Sequence, residues 1–173
     1  MSKLLRHPFE TWVPLGRTLA QHPSQNGDDW PTPIGTPVVS MEDGIVQIVR
    51  LNSPSFGKYV RIRSFNHDWS IEYGHLNDVL VVEHQLVAQG QRIGLSGNTG
   101  HSTGPHLHTE IEDKAGRFWS ASEVITIAPN QQPTTTPNAD VLQHVLEETK
   151  SAGAGVVLVA GVVLVATNKR MRA

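Results

Sequence analysis

Across the middle of the chain, apolar and polar residues alternate in short runs, as where Val60 and Ile62 interleave with Arg61 and Arg63. Alternation of period two with β-branched enrichment marks half-buried strands. Such runs predict strands over 38–41, 44–51, 58–64, 69–73, 79–82, 91–95 and 107–112, with a last piece around Phe118. Gly, Asn, Asp and Pro separate them. Short antiparallel strands at this spacing predict an all-β fold, a sandwich or partly open barrel. Residues 13–34 instead collect turn formers (Pro14, Gly16, Pro23, Asn26-Gly27, Pro31, Pro33), which predicts a long surface loop leading into the sheet.

Beyond Ile127 the pattern changes twice. Residues 128–140 hold three prolines and no apolar periodicity, the composition of an extended, semi-rigid linker. Val141, Leu142, Val145 and Leu146 then recur at helical spacing, and no charge falls between Ala152 and Thr167. As a helix, 152–167 spans about 24 Å against a hydrocarbon core of about 30 Å. Ser151 and Asn168 extend it, and Lys169, Arg170 and Arg172 supply a basic, snorkelling flank of the kind a cytoplasmic end prefers. The expectation is a C-terminal helical segment over 141–173 with a transmembrane stretch at 152–167. A self-associating segment stays open beside it, since the Val richness also suits a strand. The expected organisation is therefore 1–34 as extension and loop, 35–127 as the β-domain, 128–140 as linker and 141–173 as the apolar tail.

At 173 residues the chain is long enough to bury a core in one domain with appendages. A formal charge of −2 gives no case for a nucleic-acid partner. With no cysteine, disulfide scaffolds and thiolate metal sites are excluded, so any metal rests on His, Asp or Glu, and nine histidines are present. Residues 1–12 carry Lys3, Arg6, His7 and Glu10 among their apolar positions and lack the uninterrupted apolar run of a secretory signal.

The densest chemistry lies in residues 97–111, G-N-T-G-H-S-T-G-P-H-L-H-T-E-I. On a strand, positions i and i+2 share a face, so His106 and His108 project together while Leu107 faces the other way. Two imidazoles side by side suit one metal ion, or one ligand with a proton-transferring neighbour.

This stretch resembles the signature of the lysostaphin-type (LytM-like) zinc endopeptidases, which cut peptide cross-links in bacterial cell walls. Tyr73-Gly74-His75-Leu76 and Gln91-Arg92-Ile93-Gly94 match upstream, as do Gly35-Thr36-Pro37-Val38, Asp43-Gly44-Ile45-Val46 and Gly57-Lys58-Tyr59-Val60-Arg61-Ile62. The similarity covers roughly residues 20–127 in the expected order. It implies the duplicated-hybrid-motif fold with the active groove on one sheet. It also implies one zinc ion held by Asp29 and His108, with His75 and His106 as catalytic histidines. The family pattern H-x-G-x-D falls on residues 25–29, where Gln25 stands at the ligand histidine's place. A neutral amide oxygen is a poor zinc donor, so the change is expected to weaken zinc binding. His22 or Asp28 is the available substitute; a solvated loop is the simpler place for His22, a turn cap or exposed position for Asp28. Thr109 stands where relatives carry an aromatic residue and faces away from the site, a packing difference. Tyr73 lines the groove or belongs to the sheet, and His67, His84 and His101 are expected in loops rather than as ligands.

Two functions are in contention. The first is zinc-dependent hydrolysis of peptidoglycan peptide cross-links by a domain tethered through its C-terminal segment. The second is a catalytically impaired wall-binding or regulatory module. Retention of Asp29, His75, His106 and His108 favours the enzyme; Gln25 counts against it. A membrane-anchored domain on the cell-wall side, or a virion-associated, phage-encoded protein, would reconcile wall contact with the missing signal.

Overall fold

The computed structural model describes residues 5–21 and 26–127, together with the backbone of 156–159 and 162–165. In chain order the strands are β1 (Leu5–Arg6), β2 (Asp28–Pro31), β3 (Pro37–Val39), β4 (Gly44–Ser53), β5 (Gly57–Ser64), β6 (Trp69–Leu76) and β7 (Asp78–Val79). There follow β8 (Gln85–Val87), β9 (Arg92–Leu95), β10 (His106–Asp113), β11 (Phe118–Trp119), the single-turn α1 (Ala121–Val124), β12 (Ile125–Ile127), β13 (Val156–Val159) and β14 (Val162–Val165). Among the described residues they form a nine-stranded sheet in the order β11-β10-β6-β5-β4-β8-β13-β14, with β2 also on β10, a three-stranded sheet β3-β9-β7 and the pair β1-β12. The all-β expectation holds.

Alternation decides which face of the large sheet is which. Val60 and Ile62 of β5, Trp69, Ile71 and Tyr73 of β6, and Leu107 and Ile111 of β10 point into one core with Val38, Met41 and Ile93. Each such buried side chain contributes about 1.5–3 kcal/mol relative to leaving it in water. The opposite face carries Arg61, Glu72, His106, His108, Glu110 and Glu112. There Arg61 bridges three strands, bonding Glu72 at 2.7 Å and Glu112 at 2.6 Å. Tyr73 belongs to the core, where its hydroxyl accepts from Met41 N at 2.9 Å.

Several expectations are corrected. The turn-rich run 13–34 is not loop throughout: Asp28–Pro31 is a strand on the edge of β10, and its backbone also bonds Gly16 and Arg17. The apolar tail is not helical where it is described. Val156–Val159 and Val162–Val165 form an antiparallel hairpin whose first strand runs parallel to β8. Val occupies all but one position of each strand, and β-branched side chains favour the pleated backbone. No helix among the described residues is long and apolar enough to cross a membrane. The linker 128–140 and the predicted helix start at Val141 lie outside the described residues. His67 lies in the connection before β6, as expected of a loop residue, but it is packed there rather than solvated: it stacks on Trp69 with centroids 4.9 Å apart, and its Nδ1 lies 2.5 Å from the buried Glu42. Burial pushes the Glu42 carboxyl above its ordinary value.

Two buried polar groups tie the N-terminal segment to this frame. Asp28 is neither exposed nor a simple turn cap. Its carboxylate accepts from Leu19 N at 2.6 Å, from Ser120 Oγ at 3.0 Å and from Ala121 N, so it joins β2 to the start of α1. His7 is a core residue: Nε2–H donates to Val13 O at 2.8 Å while Nδ1 accepts from Phe9 N at 3.3 Å. Only the neutral ring can do both, and burial lowers its pKa.

Asp28→Ala leaves those three donors unmatched and is expected to cost about 3 kcal/mol, read as a lower denaturation midpoint; a loss under about 1 kcal/mol contradicts this. Because His7 has a lowered folded pKa, the stability it gives is present above its ordinary value of 6.5 and is lost as pH falls through the lowered one. A His7→Leu variant, less stable at neutral pH for want of both bonds, is expected to lose less stability than wild type on acidification below 6.5. Equal acid sensitivity in the two proteins contradicts it.

Candidate active site

The ladder between β2 and β10 sets Asp29 directly opposite His108, Trp30 opposite Leu107 and Asp28 opposite Thr109. Directly opposed residues share a face. Asp29 therefore joins His108 on the open face, while Trp30 and Thr109 meet in the interior, Trp30 Nε1 donating to Thr109 Oγ1 at 2.9 Å. Thr109 is a packing position, as its place on the strand implies.

His75 reaches the same spot by a different device. Strict alternation would send it to the Tyr73 face, into the core. The β5–β6 register instead slips between Lys58↔Leu76 and Val60↔Tyr73, inserting one extra residue on β6. His75 takes up the slip with φ +59°, a left-handed conformation uncommon for a residue with a Cβ. Such bulges re-aim side chains. Here the bulge turns His75 outward while Tyr73 and Leu76 remain buried. His75 N donates to Phe56 O at 2.8 Å, which holds the bend.

Four groups converge. The ring centroids of His75 and His106 are 4.6 Å apart, and those of His75 and His108 are 5.8 Å apart. Each of the three imidazoles offers a nitrogen within 4.8 Å of the others. Asp29 Oδ1 lies 2.8 Å from His108 Nδ1 and 3.4 Å from His106 Nε2. Gln25 and His22 lie outside the described residues.

The rings are held in two ways. His75 donates Nδ1–H to Thr99 O at 2.8 Å and His106 donates Nδ1–H to Gly104 O at 2.7 Å, so both present Nε2 to the centre. His108 is turned round, with Nδ1 toward Asp29 and Nε2 3.4 Å from Glu110 Oε1. The pKa values separate accordingly. Burial, and then the neighbouring His106 and His108, push His75 down to about 4. Burial also works against charge on His108, but hydrogen bonds to Asp29 and Glu110 outweigh it and hold the ring up to about 9. Electrostatically the centre calls for a positive charge beside Asp29.

The donor set fits zinc. Two donors on a tetrahedral ion with bonds of about 2.0–2.1 Å stand about 3.3 Å apart; Asp29 Oδ1 and His108 Nδ1 face each other at 2.8 Å, closer than that, with His106 Nε2 3.4 Å from the same oxygen. Imidazoles and a carboxylate, with no thiolate, are ordinary zinc ligands.

A groove of about 300 Å³ opens over the cluster, lined by His75 and His108 with Asn26, Ser55, Phe56, His101 and Glu110. A larger cavity of about 670 Å³ lies by Arg63, His67, Trp69 and Lys114 and contains none of the four converging residues. Phe56 covers His108 at 5.7 Å between centroids. His101 lines the groove without joining the convergent donors, and His84 sits on the turn before β8. Sequence reasoning missed Phe56, Asn26, His101 and Glu110 as groove residues. For Glu110 the signal was present, since H-x-H-x-E extends the same-face spacing by one step. Gly27 also has a spatial reason: a Cβ there would come 2.6 Å from His108 Nε2 and 2.4 Å from Thr109 O.

Residues 23–119 match the sequence model of Peptidase family M23, and the chain belongs to that family. Peptidoglycan DD-endopeptidase ShyA of Vibrio cholerae is 49% identical over 98 residues, 57% of this chain and 22% of ShyA. Peptidoglycan DD-endopeptidase ShyB of the same organism is 49% identical over 86 residues, 50% of this chain and 20% of ShyB. The chain thus spans about a fifth of the length of these curated relatives. Among solved structures, a zinc-containing peptidase from Vibrio cholerae superposes with a TM-score of 0.53 at 37% identity, covering 69% of this chain and 38% of that one. Lysostaphin from Staphylococcus simulans superposes with a TM-score of 0.56 at 26% identity, covering 65% and 48%.

Gly27→Ala is expected to displace the His108 ring, since both nearest obstacles hold their places through β10. Loss of the nuclear Overhauser contacts between the His108 and Phe56 rings checks it, and unchanged contacts contradict it.

Proposed function

We propose that this domain hydrolyses peptide cross-links of peptidoglycan in the cell wall as a zinc-dependent endopeptidase. The observation that carries the reading is the convergence of Asp29, His75, His106 and His108 on one sheet face beneath a groove. Family membership and the likeness to ShyA, ShyB and the zinc-containing Vibrio peptidase support it.

Asp29 Oδ1 and His108 Nδ1 would hold the zinc. When bound, zinc supplies Lewis acidity toward the scissile carbonyl and lowers the pKa of water. The other roles fall to this chain's own groups. His75 stays neutral at ordinary pH, and its Nε2 is free to take the proton released as water adds to the carbonyl. His106 Nε2, fixed by the Gly104 carbonyl behind it, faces the charge that develops on the carbonyl oxygen; protonated, it donates to that oxygen or to the leaving amine. Phe56, Asn26 and Ser55 wall the groove in which an extended peptide lies.

Gln25 supports a second reading, in which the domain binds wall peptides without cleaving them, because a family ligand position carries a weak donor. One set of variants separates the two. Near-stoichiometric zinc by elemental analysis, with activity on purified peptidoglycan that falls about 10²–10⁴-fold in His106→Ala and is abolished by chelation, is the result expected of the enzyme. Binding to peptidoglycan with neither zinc nor cleavage overturns it. Gln25→His is expected to tighten zinc binding in either case, and an unchanged affinity removes residue 25 from the ligand set.

A further inference from the structure

Glu110 sits where a purely structural carboxylate would be poorly placed. It is directly opposite Glu72 across the β6–β10 ladder, and its side chain is only 14% exposed. Like charges directly opposed on a sheet are destabilising. Arg61 bonds Glu72 and Glu112, while Glu110 Oε1 lies 3.4 Å from His108 Nε2. Among the described residues the crowded third carboxylate therefore faces a ring nitrogen of the active site.

The surroundings of that ring are closely framed. Asp29 Oδ1 stands at Nδ1, Glu110 Oε1 at Nε2 and Phe56 over one face, while Gly27 passes too close to Nε2 for any side chain. His75 and His106 are anchored through Nδ1 by backbone carbonyls and point Nε2 inward; His108 is the one reversed. With Nδ1 turned to Asp29, the other ring nitrogen, Nε2, is left facing Glu110 Oε1 at 3.4 Å. Carboxylates behind a metal-ligating imidazole fix its orientation and raise its basicity.

We propose that Glu110 is a positioning residue for His108. Its carboxylate accepts from Nε2–H and thereby keeps Nδ1 directed at the point shared with Asp29. This rests on the reading of His108 as a zinc ligand. The Nε2–Glu110 contact itself can be tested without metal.

The experiment measures zinc affinity of the full chain by competition with a chelator, for wild type, Glu110→Ala, Glu110→Gln and Glu112→Gln. Glu110→Ala is expected to bind about 10–100-fold more weakly. Glu110→Gln, whose amide oxygen still accepts from Nε2–H, is expected to recover most of that loss. Glu112→Gln, which touches Arg61 and not the site, is expected to stay at wild-type affinity. Undiminished affinity in Glu110→Ala, or an equal loss in Glu110→Gln or in Glu112→Gln, overturns the proposal. The imidazole ¹H–¹⁵N spectrum of the metal-free proteins supplies the second reading. A His108 Nε2–H signal protected from exchange in wild type and Glu110→Gln, and lost in Glu110→Ala, is expected; a signal indifferent to all three overturns the proposal. Should the wild-type chain take up no zinc, the hydrolase reading fails, while the spectrum still decides for or against Glu110.

Discussion

The antiparallel ladder between β2 and β10 is the constraint on which the site depends. Side chains alternate along a strand, so sliding β2 by one residue would exchange Asp28 and Asp29. The carboxylate now buried beneath Ser120 and Ala121 would face the groove, and the one beside His108 would be buried. Two adjacent aspartates are thus kept apart by register alone, one building the fold and the other facing the imidazoles. Trp30, packed in the core and bonded to Thr109, pins that register from the interior side. Asp28 pins it from below.

The opposite wall is built from strain rather than regularity. His75 is held in a left-handed bulge by Phe56 O, and the loops behind it are interlocked so tightly that a Cβ on Gly57 would lie 2.3 Å from Thr99. Thr99 itself bonds Lys58 N and Leu76 O through its hydroxyl and receives His75 through its carbonyl. Backbone strain of this kind persists only where surrounding bonds over-determine it. The result is a rigid setting in which burial pushes His75 down to about 4 while hydrogen bonds to Asp29 and Glu110 hold His108 up to about 9.

Much of this was legible in the residues. The long strands β4, β5, β6 and β10 announced themselves by alternation, and H-x-H on β10 by its spacing. Asp29, His75, His106 and His108 were all named, though through family likeness rather than periodicity. What stayed hidden has physical reasons. β2 reads as a turn because Asp-Asp-Trp-Pro has poor strand propensity, and it is recruited to β10 by packing of Trp30 and by the hydrogen bonds of Asp28. Composition and periodicity do not distinguish Asp28 from Asp29, which only the likeness to H-x-G-x-D separates, because burial is decided by a partner some eighty residues later. The outward turn of His75 depends on a bulge that period-two reasoning cannot see. In the tail, length and flanking charge argued for a helix, but Val at nearly every position favoured strands docking on β8.

The most direct measurement is anomalous diffraction at the zinc edge from crystals of the zinc-loaded full chain. The expected result is one strong peak within about 2.2 Å of both Asp29 Oδ1 and His108 Nδ1, with the rings of His75 and His106 beside it. A peak bound elsewhere, or a zinc-loaded site in which Asp29 and His108 do not share the ion, would contradict the convergence on which the proposed chemistry rests.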